Sequence, residues 1–464
     1  MNKKQIVTSL FVLSMMNNAC NTGQQEKEAD AGPPPAVQLI TLDPGHFHAA
    51  LVQKSMTPGI DSVVHVYAPD GPELKEQLRF IDQYNTRAET PTHWKEEVYT
   101  GPDFLEKMVQ EKKGNVVVMA GNNRRKTEYI QKAVAAGMNV LADKPMAIST
   151  EGFARLQQAF DDARSKKVLL YDIMTERSEI TNTLQGELSR IHDVFGDLQT
   201  GTEKNPGVEM KSVHNLYKYV SGKALTRPAW FFDPMQQGDA IVDVGTHLVD
   251  LVQWECFPEV VLDYKKDIQL QSARKWPTPI TRSQFSIITG LDSFPDFLHP
   301  YVKDTMLNVH ANGEASYTLK GVHVKVTALW QYAGPEGSGD THYSILRGSN
   351  SNLVIRQGQE EKYEPTLYVE PQGKANTPAF EKTLQNALQQ LESKYPGLSL
   401  EKSSKGWKIV IPAKYKNGHE AHFAQVLQRY MQYLQQGSLP DWEVPGMIAK
   451  YYTTTKALEM SAEK

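Results

Sequence analysis

From Val37 to Tyr171, short runs rich in β-branched residues alternate with longer stretches whose apolar residues recur at helical spacing. No other feature constrains the fold as much. Strands separated by helices pair in parallel, and the helices cover the faces of the sheet. Val37 to Leu42, Val63 to Tyr67, Val116 to Ala120, Asn139 to Ala142 and Val168 to Tyr171 read as strands. The first stops at Asp43-Pro44-Gly45 and the second at Pro69-Asp70-Gly71, both turn sequences. Helix-compatible sequence covers Phe47 to Lys54. A second helix carries Tyr129, Ile130, Ala133 and Val134 on one face and stops at Gly137; a third carries Phe153, Leu156, Phe160 and Ala163. A sheet of this kind binds ligands at the carboxyl ends of its strands, where Gly45 and Lys144 fall.

Beyond Tyr171 the pattern changes. Strand-like runs at Glu209 to Val213, Val322 to Leu329, His342 to Leu346 and Lys408 to Ile411 are separated by Gly and Pro. A last helix aligns Phe423, Val426, Leu427, Tyr430, Met431 and Leu434 in one apolar stripe, which reads as core. With 464 residues and 40% hydrophobic content, the chain can bury two domains. The expected divisions are 1–20, 21–36, 37–165 and 166–464. A net charge of −4 and the absence of a basic tract argue against a nucleic-acid partner.

Asp243 and His247 sit four residues apart in a helix-compatible run, so one helix face presents both. A carboxylate beside an imidazole holds its tautomer and raises its basicity, as a general acid/base requires. Upstream lies Leu141-Ala142-Asp143-Lys144-Pro145. Together these segments resemble the glucose–fructose oxidoreductase / inositol dehydrogenase / MocA family. There, a strand ends in E-K-P and a later segment reads G-G-A-x-x-D-x-G-x-H-x-x-D. Lys144 and Pro145 match the first, with Asp143 in place of glutamate. Gly238, Ala240, Asp243, Gly245, His247 and Asp250 match the second, and Arg227 to Pro234 resembles the family's approach to it. The segment from Trp330 to Tyr343 resembles a Bacteroidetes branch. The resemblance implies an α/β fold, with an N-terminal Rossmann-type parallel sheet and a C-terminal α+β domain built on a mostly antiparallel open sheet. It further implies tightly bound NAD or NADP, Lys144 beside the nicotinamide, Asp243 and His247 as the catalytic pair, and a sugar or glycoside as substrate. A homo-oligomer would form through the C-terminal sheet.

The chain departs from that family where the phosphates would sit. Asp43-Pro44-Gly45-His46-Phe47-His48 replaces G-x-G-x-x-G, and of its glycines only Gly45 is obviously retained. The expected cofactor contacts are Asp43, Gly45, His46, His48, Asp70, Asn122, Asn123 and Lys144. Asp70 reads equally as a ribose ligand and as a plain turn residue. Arg124, Arg125 and Lys126 face either phosphate or water. His46 and His48 at i, i+2, and His419 and His422 at i, i+3, have metal-ligand spacings. No metal site is assigned. Two other readings stay open, a metal-dependent hydrolase or lyase using His46, His48 and His247, and a non-catalytic glycan-binding protein. Lys3 and Lys4, the apolar run Ile6 to Met16 and Ala19-Cys20 resemble a bacterial lipoprotein signal, with Asn17 where leucine is usual. Lipidated Cys20 would then anchor a cell-envelope protein through a polar, Pro-rich tether.

Overall fold

Six strands form one parallel sheet in the order β3-β2-β1-β4-β5-β6. They are β1 (Leu39–Leu42), β2 (Val63–Tyr67), β3 (Lys95–Tyr99), β4 (Val116–Met119), β5 (Asn139–Asp143) and β6 (Leu170–Ile173). This computed structural model describes residues 37–220, 223–335, 338–373 and 378–462. The expected signal and tether therefore lie outside the described residues. Every residue of β1 and β4 is buried, as central parallel strands covered on both faces require, and so is every residue of the edge strand β6. The strand order reverses between β1 and β4, and the loops after these two strands open a crevice there.

Helices α1 (His48–Leu51), α2 (Pro72–Thr86), α3 (Phe104–Glu111), α4 (Lys126–Ala135) and α5 (Thr150–Lys166) connect the strands. The helix expected over Phe47 to Lys54 shrinks to the four residues of α1. Sequence reasoning misses β3 because its residues, Lys-Glu-Glu-Val-Tyr, are all exposed or half-buried at the sheet edge. The division expected at 165 falls inside α5, one strand short of the sheet's end. The chain also returns to this core at its far end. Phe423, Val426, Leu427, Tyr430 and Met431, from the helix His419–Gln436, are buried with the residues of the parallel sheet.

The second sheet has ten strands. Ile268–Ile280, Met306–Leu319, Val322–Gln331, Val208–Asn215, Thr341–Arg347, Ser351–Arg356, Thr366–Pro371, Gly406–Val410 and Ser399–Ser403 follow one another across it, and the tenth, Val302–Lys303, pairs with Met306–Leu319 off this path. All these neighbours pair antiparallel except Val322–Gln331 with Val208–Asn215, which run parallel. The helix Val244–Cys256 packs against Ile180–Ser189 and the last helix, Glu443–Ala462. A buried ionic cluster ties these elements to β6. The Arg177 guanidinium donates to both Asp250 oxygens at 2.7 Å and to Glu443 at 3.1 Å. The Lys450 ammonium lies 2.8 Å from Asp250 and 2.7 Å from Asp172.

Candidate active site

The crevice at the reversal is a cleft of about 510 Å³. Asp43 to Gly45, Ala68 to Leu74, Asn122, Arg124, Arg125, Trp230 and Gln236 form much of its wall. Asp43 takes a left-handed conformation at φ 45°, which a short polar side chain tolerates, and accepts from the Tyr129 hydroxyl at 2.7 Å. Gly121 lets the two loops close on each other. A Cβ there would sit 2.4 Å from the Asp43 carbonyl oxygen and 2.9 Å from the Gly45 nitrogen.

Of the expected cofactor contacts, Asp43, Gly45, Asp70 and Asn122 line this cleft. Asn123 is buried instead, donating to the Gln237 carbonyl at 2.8 Å, while Asn122 donates to the Gln236 side chain at 2.7 Å. The two asparagines thus clip the loop after β4 to the segment that leads into the Val244–Cys256 helix. His46 and His48 are not among the cleft's lining residues. They turn toward Asp143 at the end of β5, with Nδ1–Oδ2 distances of 3.5 and 3.0 Å. Nor does the loop offer all its backbone donors to an anion, because Gly45 and His46 both donate to the Ala120 carbonyl, at 3.0 and 3.1 Å.

Lys144 is the first residue after β5, and its ammonium donates to Asp243 Oδ1 at 2.7 Å. Burial opposes its charge, but Asp243 and Asp143 outweigh burial and hold its pKa above the ordinary lysine value. The expected contact between Asp243 and His247 is replaced by this ion pair. Asp243 is the N-cap of a helix that begins at Val244, with ψ −83°, so the spacing rule for residues inside a helix does not govern where its carboxylate points. Burial first, then the Lys144 and His214 charges, hold the His247 imidazole well below its usual pKa. Its Nδ1 is buried without a hydrogen-bond partner. His247 is therefore a neutral proton acceptor within electrostatic reach of Lys144.

The structure adds groups that the sequence did not single out. Glu176, just past β6, is pushed up to about 7 by burial and then by Glu179, and lies within reach of the Lys144 charge. Lys126, left open above as facing phosphate or water, faces neither. It is buried and donates to the Asp143 carbonyl at 3.0 Å and to Asn123 Oδ1 at 2.5 Å. Toward the large sheet, His214 Nδ1 sits 3.0 Å from Asp340, Lys218 donates to the same carboxylate at 2.5 Å, and Trp330 stacks on His214 at 4.9 Å. The cluster joins the strand Val208–Asn215 to its two direct neighbours, Val322–Gln331 and Thr341–Arg347, a pairing that no local motif signals.

Two family profiles match the chain. One, "Oxidoreductase family, NAD-binding Rossmann fold", covers residues 40–171; the other, "Putative oxidoreductase C terminal domain", covers residues 184–462. The crystal structure of a "putative oxidoreductase" from Parabacteroides merdae is 53% identical over 93% of this chain and 98% of its own, with TM-score 0.91. Levoglucosan dehydrogenase in complex with NADH and levoglucosan is 13% identical over 92% of this chain and 97% of its own, with TM-score 0.56. KijD10, a 3-ketoreductase from Actinomadura kijaniata in complex with NADP and TDP-benzene, is 14% identical over 90% and 95%, with TM-score 0.52. At such identities the last two share the fold. No curated protein sequence matches the chain.

Proposed function

Because the chain belongs to the Gfo/Idh/MocA oxidoreductase family and carries its NAD-binding Rossmann domain, we propose that it oxidises a hydroxyl of a sugar or glycoside. The observation that carries this reading is the meeting of Lys144 and the Val244–Cys256 helix at the C-terminal end of β5, beside the cleft at the strand reversal. The cleft's volume and lining suit the adenosine and phosphate half of a dinucleotide. Arg124, which makes no ion pair among the described residues, faces the negative charge, and Asp70 and Glu73 are the carboxylates placed for ribose hydroxyls. A nicotinamide bound with its ring at Lys144 supplies the hydride acceptor.

Around it the chain's own groups divide the work. His247, neutral at physiological pH, takes the hydroxyl proton as the C–H bond breaks. Lys144, kept charged and in place by Asp243, hydrogen-bonds the substrate oxygen and favours its developing negative charge. His214, Lys218 and Asp340 offer the donors and acceptors that a pyranose needs. The clip made by Asn122 and Asn123 on Gln236 and Gln237 supports a cofactor retained through the cycle. Retention fits redox-neutral chemistry: oxidation at sugar C3 acidifies the adjacent C–H and permits elimination of the glycosidic substituent before re-reduction. The reading is completed by a lipid anchor at Cys20 in the cell envelope and a homo-oligomer formed through the large sheet.

One observation favours a second reading, a silent glycan-binding protein on the same fold, namely the occupation of the Gly45 and His46 N–H groups by Ala120. Denaturing the purified protein and identifying what is released by absorbance and mass separates the two. Released NAD(H) or NADP(H), with oxidised or cleaved glycoside on incubation, supports the enzyme. No dinucleotide, no turnover and sugar binding indifferent to Lys144→Ala or His247→Ala would support the binding protein.

A further inference from the structure

Three side chains from two segments of the chain bring one ligand atom each close together. His46 precedes α1, His48 is its first residue and Asp143 ends β5. Their potential ligand atoms all lie within 4.8 Å of one another. Nδ1 of His46 is 3.5 Å, and Nδ1 of His48 3.0 Å, from the same Asp143 Oδ2. Around a tetrahedral ion with bonds of about 2.0–2.2 Å, neighbouring ligand atoms stand about 3.3–3.6 Å apart. The His46 spacing of 3.5 Å matches those edges, the His48 spacing of 3.0 Å is a few tenths of an ångström short of them, and the third lies within 4.8 Å.

Hydrogen bonding alone accounts poorly for this arrangement. Both imidazoles converge on one carboxylate oxygen, while the other, Oδ1, is buried with no partner. Asp143 is 5% exposed, so an unshared acceptor there is costly. The neighbouring ammonium groups are directed elsewhere, that of Lys126 to the Asp143 carbonyl and to Asn123 and that of Lys144 to Asp243. A cation held by the two Nδ1 atoms and Oδ2 accounts for the convergence of both imidazoles on one oxygen, and a bidentate carboxylate would bring Oδ1 onto the same ion.

The surroundings supply the rest of a metal site. His419, the first residue of the helix His419–Gln436, places Nε2 2.8 Å from Nε2 of His48. With Nδ1 bound to an ion, His48 carries its proton on Nε2 and donates it to His419, the outer partner that ligating histidines usually have. The His46 side chain is 33% exposed, which leaves an open coordination position on that side. We propose that His46, His48 and Asp143 bind one divalent transition-metal ion of the zinc type, with His419 orienting His48. His247, part of the metal-centred reading considered from the sequence, does not belong to this cluster. The proposal does not depend on the dehydrogenase reading.

The test uses the tag-free full chain, stripped with a chelator and titrated with ZnCl2 by calorimetry. Metal content after dialysis is measured by mass spectrometry, and released dinucleotide is quantified on the same sample. One Zn2+ per chain and a Tm raised by the ion are expected in the wild type. His46→Ala, at a half-exposed position and therefore the variant safest for folding, should abolish both. His419→Ala should weaken binding about 10–100-fold. Absence of stoichiometric binding in the wild type, or wild-type affinity in a folded His46→Ala, overturns the site. Asp143→Asn should likewise lose the ion, and if that variant does not fold, His46→Ala decides alone.

Discussion

At the scale of single residues, one side chain has two opposed surroundings to answer to. The imidazole of His247 is held neutral by burial and by Lys144, so it remains a proton acceptor as pH falls past the usual histidine value of 6.5. The depressed pKa puts the acid limb of kcat/KM lower than an ordinary histidine would. With Glu176, which is pushed up to about 7, replaced by Gln, oxidation of a glycoside should thus keep its rate between about pH 7.5 and about pH 6, and a fall centred near the normal histidine value would remove His247 as the base. His247→Ala should slow turnover by about a hundred- to ten-thousand-fold while dinucleotide stays bound, read by single-turnover kinetics and by released cofactor. Gly121→Ala makes a different prediction. Its new methyl meets backbone on the facing loop at 2.4 Å, so the loops must part and dinucleotide affinity should drop with little change in the rate once bound. Equal affinity in a titration of the two proteins would refute the need for that close approach. Lys144 and His247 were legible from their motifs. The partner of Asp243 was not, because a helix cap has no fixed side-chain direction that spacing can read.

At the scale of elements, the buried parallel strands were legible and the exposed edge strand β3 was not. β1 and β4 announce themselves as unbroken apolar runs, whereas β3 needs only one neighbour and can carry polar side chains. The motif aspartate at 250 belongs to this scale. Here it is 1% exposed and joins the helix Val244–Cys256 to Arg177 and to Lys450 of the last helix. Asp250→Ala leaves two cations buried short of a counter-charge, which should cost about 3–5 kcal/mol of stability. Thermal unfolding should show a clear drop in Tm, and a variant as stable as wild type would mean the network contributes little.

At the scale of the whole molecule, the mature chain is expected to begin at a lipidated Cys20, checked by the intact mass of protein purified from membranes; an unmodified or different terminus would contradict the anchor. Read alone, the sequence was enough to determine the parallel sheet and the place of Lys144 at the end of one of its strands. Those properties follow from local periodicity and turn chemistry, which act over a few residues. Only the tertiary structure decided that Asp243 pairs with Lys144, that Arg177 meets Asp250 and Glu443, and that His419 reaches His48 across 371 positions of chain. The physical reason is that a side chain's periodicity selects the face it occupies. Which distant segment covers that face is settled by how the last two helices return to the first sheet, and no local pattern carries that information.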